Sequence, residues 1–262
     1  MTRQPSFFIP HGGGPCFFMP DPQGNWTSMA AFLRGLPECL PAPPKAILVV
    51  SGHWETEGFA FTGAEQPELL FDYYGFPQHT YELRFDAPGA PALAERASLL
   101  LRGAGLAAAP DPQRGYDHGV FIPLKVAWPE ADVPVVEMSL DRSLDPALHL
   151  AAGRALAPLR DEGVLILGSG MSFHNMRGYG NPASTEASLA FDQWLTRTVE
   201  ADAGPRAEAL SQWAQAPGGR FSHPREEHLL PLMVVAGTAQ GAGKKVYSDL
   251  VLKTAISAFR FD

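Results

Sequence analysis

Lys45-Ala46-Ile47-Leu48-Val49-Val50-Ser51-Gly52-His53 is the stretch that decides the fold. From residue 45 to 51 it is a continuous apolar and β-branched run, the pattern of a strand buried on both faces. Such a strand needs a helical layer on each side, which points to an α/β sandwich. The run leads into a glycine and then a histidine. Open α/β sheets place their ligands just beyond the carboxyl ends of strands, so a histidine there is a candidate site residue.

Working outward, residues 6–9 form a short apolar strand ending at Pro10, and His11-Gly12-Gly13-Gly14-Pro15 must be a loop. Residues 28–36 have helical spacing with Thr27 as a plausible N-cap. Residues 59–62 read as a strand, either a hairpin partner of the first run or adjacent to it. Residues 71–81 are aromatic and interrupted by Gly75 and Pro77, so they read as a loop. That loop could line a pocket for a flat apolar substrate or simply pack on the core. Helices follow at 91–103 and from 120 to 127, a strand at 133–140, and a helix at about 145–160. Residues 163–167 form a buried strand that Gly168-Ser169-Gly170 should break. A long amphipathic helix covers 184–201. Residues 226–239 are apolar at helical spacing, which puts His228 near a helix N-terminus, and 246–252 close with a strand. Strands alternate with helices and no composition shift marks a boundary. The expectation is one α/β domain over 1–262: a central, mainly parallel or mixed sheet flanked by helices, with a site at the C-terminal edge of its strands.

The 262 residues are 45% hydrophobic and 18% charged, an ordinary globular balance, with a formal net charge of −8. That acidic surface disfavours nucleic acid and anionic membranes, since no basic excess exists to release phosphate counterions. No stretch approaches the roughly 20 apolar residues of a membrane span, and the N-terminus lacks a signal-peptide core. Two cysteines, Cys16 and Cys39, make no disulfide framework. A cytoplasmic protein is expected. Cys16 lies five residues after His11, but a small buried apolar residue is the favoured reading. Nothing in the chain indicates an oligomeric state.

Five histidines stand out among glycine-rich or apolar neighbours: His11, His53, His118, His174 and His228. Singly, a buried histidine is more often a hydrogen-bonded core residue than a ligand. Jointly, His11, His53 and His174 each follow a separate apolar run. Imidazoles gathered at one sheet edge can bind a transition metal and move protons. There is no His-Glu-x-x-His helix, no phosphate-binding Gly-x-x-x-x-Gly-Lys loop and no Gly-x-Ser-x-Gly elbow. A Lewis-acid hydrolase and an oxygen-activating enzyme both remain open from spacing alone.

Six segments occur in order: His11-Gly12-Gly13-Gly14-Pro15, Ser51-Gly52-His53-Trp54-Glu55, Tyr74-Gly75-Phe76-Pro77, Asp117-His118-Gly119, Gly168-Ser169-Gly170 with Ser172-Phe173-His174-Asn175, and the run His223-Pro224-Arg225-Glu226-Glu227-His228-Leu229-Leu230-Pro231-Leu232. Together, over about residues 6–240, they resemble the class III extradiol ring-cleavage dioxygenases, most closely the 4,5-DOPA dioxygenase group. The resemblance implies a non-haem iron(II) enzyme that opens a catechol ring, such as that of DOPA, with dioxygen. It implies metal ligation by His11, His53 and His228, the last where protocatechuate-type relatives carry a glutamate. It implies acid–base roles for His118 and His174, with His174 on the substrate side, and substrate contacts from Tyr74, Phe76 and Asn175. Three neutral ligands would leave the dication uncompensated by protein and hold zinc more tightly than iron(II). Fe(II) is therefore expected for activity and Zn(II) in protein purified in air. Asp117 is expected to cap a turn rather than orient His118, and His223 to lie either beside the site or in a solvated loop. His79 and His149 fall outside the motifs. Two other readings compete: a zinc-dependent hydrolase on the same residues, and a non-enzymatic binding protein like the Memo group, which resembles this fold.

Overall fold

The computed structural model describes residues 2–262. In chain order its elements are β1 (Ser6–Pro10), α1 (Thr27–Arg34), β2 (Ala46–Thr56), β3 (Phe59–Thr62), α2 (Pro91–Gly103), β4 (Ala108–Asp111), α3 (His118–Ala127), β5 (Val135–Asp141) and α4 (Pro146–Leu156). They continue with α5 (Pro158–Asp161), β6 (Val164–Gly170), α6 (Thr185–Val199), α7 (Ala203–Ser211), α8 (Gly219–Ser222), α9 (Leu230–Gly237), β7 (Gly243–Val251) and β8 (Thr254–Phe261). One eight-stranded sheet has the order β4-β3-β5-β2-β6-β1-β8-β7. Its centre, β5-β2-β6-β1, is parallel, whereas β8 joins β1 and β7 joins β8 antiparallel, and β3 meets β5 antiparallel.

The opening stretch shows why the sheet is covered twice. Leu48 and Val50 of β2 face one core with residues of α2, α4 and α9. Ile47 and Val49 face the other, with Leu33 of α1 and Val120, Phe121 and Leu124 of α3. A strand apolar at every position finds partners on both sides, as a central parallel strand must. α9 is apolar all round because all eight of its residues are buried, packed beside α4.

Several local expectations are corrected. β2 does not end at Ser51 but continues through Gly52 and His53 to Thr56, so His53 sits within the strand rather than beyond its end. Its register with β5 shifts between Val50 and Glu55, an irregularity of the kind that re-aims side chains near active sites. Gly168-Ser169-Gly170 does not break β6 either; it pairs with β1 up to Pro10. The glycine is needed for clearance: a Cβ at Gly170 would collide with the carbonyl of His228, whose oxygen instead accepts the Met171 N–H at 3.1 Å. The 145–160 helix is two pieces, since Pro158 has no N–H to continue the ladder. The last long helix begins at Leu230, two residues after His228. β3 pairs with β4 and β5, not as a hairpin with β2. Thr27 is the first helical residue, with Trp26 in the cap position.

β4, α7, α8 and β8 lacked a sequence signal. β4 contains Pro110, which demotes a strand to an edge. β8 follows β7 through Leu252-Lys253, both at positive φ without a glycine or asparagine to announce the turn.

Candidate metal centre

The parallel strands deliver the first histidines. His11 follows the last residue of β1, and its N–H bonds the Gly170 carbonyl of β6 at 3.2 Å. Gly12 turns the chain at φ +82°, where a side chain would also strike Cys16 Sγ. That contact gives Cys16 its packing role in the loop. His53 enters from β2 on the other side of β6. His118 is the first residue of α3, His174 follows β6, and His228 lies in the segment that Gly170 admits.

These five rings share one cavity of about 550 Å³, walled also by Trp26, Tyr73, Tyr74, Phe76, Met176 and Tyr179. His53 Nε2 stands 3.3 Å from His11 Nε2 and 3.1 Å from His228 Nε2. The His174 and His228 rings stack with centroids 3.4 Å apart, and His53 and His118 lie 4.0 Å apart. Geometrically the donors fall into two groups able to hold a metal: His11, His53 and His118, and His174, Glu227 and His228. The His53–His228 contact joins the two groups.

Two carboxylates set the tautomers. Asp72 Oδ1 accepts from His118 Nδ1 at 2.7 Å and from the His118 backbone N–H at 2.9 Å, while its Oδ2 lies 3.6 Å from His53 Nδ1. Glu227 Oε1 stands 3.1 Å from His228 Nδ1 and 3.2 Å from His174 Nδ1. A proton held on Nδ1 leaves a lone pair on Nε2. His228 Nε2 then presents its lone pair toward His53 Nε2, 3.1 Å away, a spacing at which both nitrogens can share a cation. Nitrogens bound at 2.0–2.1 Å to one tetrahedral metal are separated by about 3.3 Å. The residues therefore fit a divalent metal.

Charge and burial agree. Burial, followed by the neighbouring imidazoles, holds His11 and His228 well below the ordinary histidine value. Burial also pushes His53 down to about 4. All three are neutral donors near neutral pH. Burial works to raise Asp72 and Glu227, but the hydrogen bonds from His118 and His174 outweigh it and keep both carboxyls below their usual values. Two ionised carboxylates thus stand behind the rings, so the expected uncompensated dication is corrected: the charge is answered one layer out.

The other sequence candidates separate. Tyr74, 91% exposed, and Phe76 line the histidine cavity. Asn175 lines an adjoining one, and its amide donates to the Phe221 carbonyl at 2.8 Å. Asp117 does not touch His118; it accepts from Ser51 Oγ and Arg114, each at 2.8 Å, bracing the end of β2. His223 is fully buried, with Nε2 on the Ser172 carbonyl at 3.0 Å. His149 is buried and bonds the Asp145 carbonyl and the Asp141 N–H. Sequence reasoning missed Asp72, whose only signal was being the single acid in the aromatic 71–81 stretch. It treated Glu227 only as a neighbour of His228.

Residues 7–260 match the family described as the catalytic LigB subunit of aromatic ring-opening dioxygenase. The chain belongs to this family. It is 38% identical to a 4,5-DOPA dioxygenase extradiol of Beta vulgaris, covering 89% of this chain and 86% of that one. It is 37% identical to dioxygenase tasH of Hapsidospora irregularis (95% and 82%) and 35% identical to the Escherichia coli 4,5-DOPA dioxygenase extradiol (92% and 87%). The crystal structure of uncharacterized protein JW3007 from Escherichia coli K12 superposes with a TM-score of 0.80 at 30% identity, covering 99% of this chain and all of that one. This LigB-family protein is thus a metal-dependent dioxygenase with an aromatic substrate, and its histidine cluster is the metal site.

Proposed function

We propose that the protein is an iron(II) extradiol dioxygenase that opens catechol-type rings, DOPA among the candidates, with His11, His53 and His228 as the metal ligands. The observation that carries this reading is the convergence of the His11, His53 and His228 Nε2 atoms, with Glu227 on His228 Nδ1 and Asp72 3.6 Å from His53 Nδ1. Iron(II), when bound, supplies the Lewis acidity that favours the ionised catechol and the redox capacity to use dioxygen.

The chain's own residues do the rest. His174, with Nδ1–H on Glu227, keeps Nε2 free to take a catechol proton. His118, with Nδ1–H on Asp72, keeps its own Nε2 for proton movement on the oxygen side. Trp26, Tyr74 and Phe76 offer flat walls to a ring, and Tyr73, whose hydroxyl donates to the Thr80 carbonyl, braces the aromatic loop. Asn175 acts through the loop it ties to Phe221. Water exclusion by this apolar lining favours orienting both reactants over hydrolysis. A cytoplasmic setting is part of the proposal: Cys39 is free and exposed, Cys16 is free, and among the described residues no helix is long and apolar enough to cross a membrane.

The test is anaerobic stripping, reconstitution with iron(II) or zinc, and a catechol panel. Oxygen uptake with a yellow ring-opened product, in the iron form only, is the expected result. Full activity in a zinc-only preparation, or turnover without oxygen uptake, would sink the iron mechanism and favour a zinc hydrolase.

A further inference from the structure

The histidine cavity opens onto a second one, of about 720 Å³; His174 and Met176 line both. The second cavity contains no candidate ligand beyond His174 and Glu227. Its polar wall is formed by Asn175, Arg177, Asn181, Ser184, Arg225 and Glu227.

Most of these groups are already engaged. Asn175 donates to the Phe221 carbonyl and accepts from the Arg177 backbone N–H. Asn181 Oδ1 accepts from the Ala183 N–H. Arg225 forks onto Glu55 at 2.5 and 2.7 Å and lies 3.5 Å from Glu227. Glu227 faces His174 and His228. Among the charged groups of the wall Arg177, exposed at the cavity's rim, is the exception. Its guanidinium has no ion pair among the described residues, although the chain carries an excess of acids. A planar donor fork without a partner, beside an active-site cavity, suits a carboxylate.

We propose that this second cavity receives the ring substituent of the substrate and that Arg177 selects an anionic one: a catechol carrying a carboxylate on a short chain. The inference rests on the ring-opening reading above. A ring stacked in the first cavity and reached by His174 has the second cavity on that same side. Arg225 adds little selectivity because Glu55 and Glu227 answer its charge. Arg177 therefore sets the preference, and a catechol with an alkylammonium chain is disfavoured.

The test compares wild type, Arg177→Gln and Arg177→Lys with three probes: a 3,4-dihydroxyphenyl alkanoic acid, a 4-alkylcatechol of the same length and a 3,4-dihydroxyphenyl alkylamine. Arg177→Gln is expected to lower kcat/KM for the acid roughly ten-fold, through KM, leave the alkylcatechol as the unchanged reference, and narrow the discrimination against the amine. Arg177→Lys should retain part of the preference. Calorimetric titration of the metal-loaded protein with the acid, without oxygen, should show the same factor in Kd. Equal effects on acid and alkylcatechol, or none on either, would overturn the subsite while leaving ring cleavage standing. If wild type opens no catechol yet binds the acid in an Arg177-dependent way, the subsite stands and the ring-opening reading falls.

Discussion

His149 and His223 are as deeply buried as His11 and His228, yet they belong to a different kind of environment. His149 Nδ1 donates to the Asp145 carbonyl and Nε2 accepts the Asp141 N–H, so both nitrogens join the end of β5 to α4. His223 donates to a backbone carbonyl and sits among Phe191 and Trp213. In the cluster, His53 instead faces His11 and His228 through Nε2, and carboxylates hold Nδ1 of His118, His174 and His228. Burial therefore does not distinguish a ligand from a core residue. What distinguishes it is where the lone pair points once the other nitrogen is committed.

The sharpest way to break that contrast is His53→Ala. His53 is the ring in contact with both His11 and His228, so its loss should abolish stoichiometric metal and reduce oxygen uptake to that of metal-free protein. Metal analysis and an oxygen electrode read both. His174→Ala should keep the metal and lower turnover about 10²–10⁴-fold, the usual worth of a positioned acid–base group; normal turnover would remove His174 from that role. Asp72→Asn keeps the shape but weakens the hold on His118 and the field behind His53. A loss of about 10–100-fold in activity or metal affinity is expected, and a wild-type result would mean that packing alone orients the rings.

Much of this was legible in advance, for identifiable reasons. β2 announced itself because a strand buried on both faces must be apolar at every position, and α2 because Pro91 and Gly103 bracket it. The five histidines were visible because each sits where a strand or helix ends or a glycine intervenes. Their carboxylate partners were hidden. Asp72 reaches His118 across 46 residues, a pairing that no local spacing encodes. Asp117, the obvious neighbour, turns away to Ser51 and Arg114. The glycines of β6 were misread as breakers because their purpose, clearance for the Pro231 carbonyl at Gly168 and the His228 carbonyl at Gly170, exists only in the folded chain.

The smallest effect concerns the core side of the contrast. In His223 the proton sits on Nε2, facing the Ser172 carbonyl, and Nδ1 is buried with no hydrogen-bond partner among the described residues. Burial pushes its pKa down to about 3, against 6.5 for a free imidazole. Between those values the unfolded chain binds a proton that the folded chain refuses. Stability therefore falls as pH drops from 6.5 toward 3, and above 6.5 the penalty vanishes. At pH 5 this one group costs about 2 kcal/mol. His223→Phe, whose ring suits the neighbouring Phe191 and Trp213, gives up the Ser172 bond, worth about 1 kcal/mol at pH 7, but removes the titration. Urea melts of metal-free protein at pH 7 and pH 5 should show a drop about 2 kcal/mol smaller in the variant than in wild type. His11, His53 and His228 titrate with the same sign in both proteins, so the difference reports His223 together with its own coupling to His228. Identical drops would mean that His223 accepts its proton in the folded state, and that the division between core and ligand histidines is less sharp than their partners suggest.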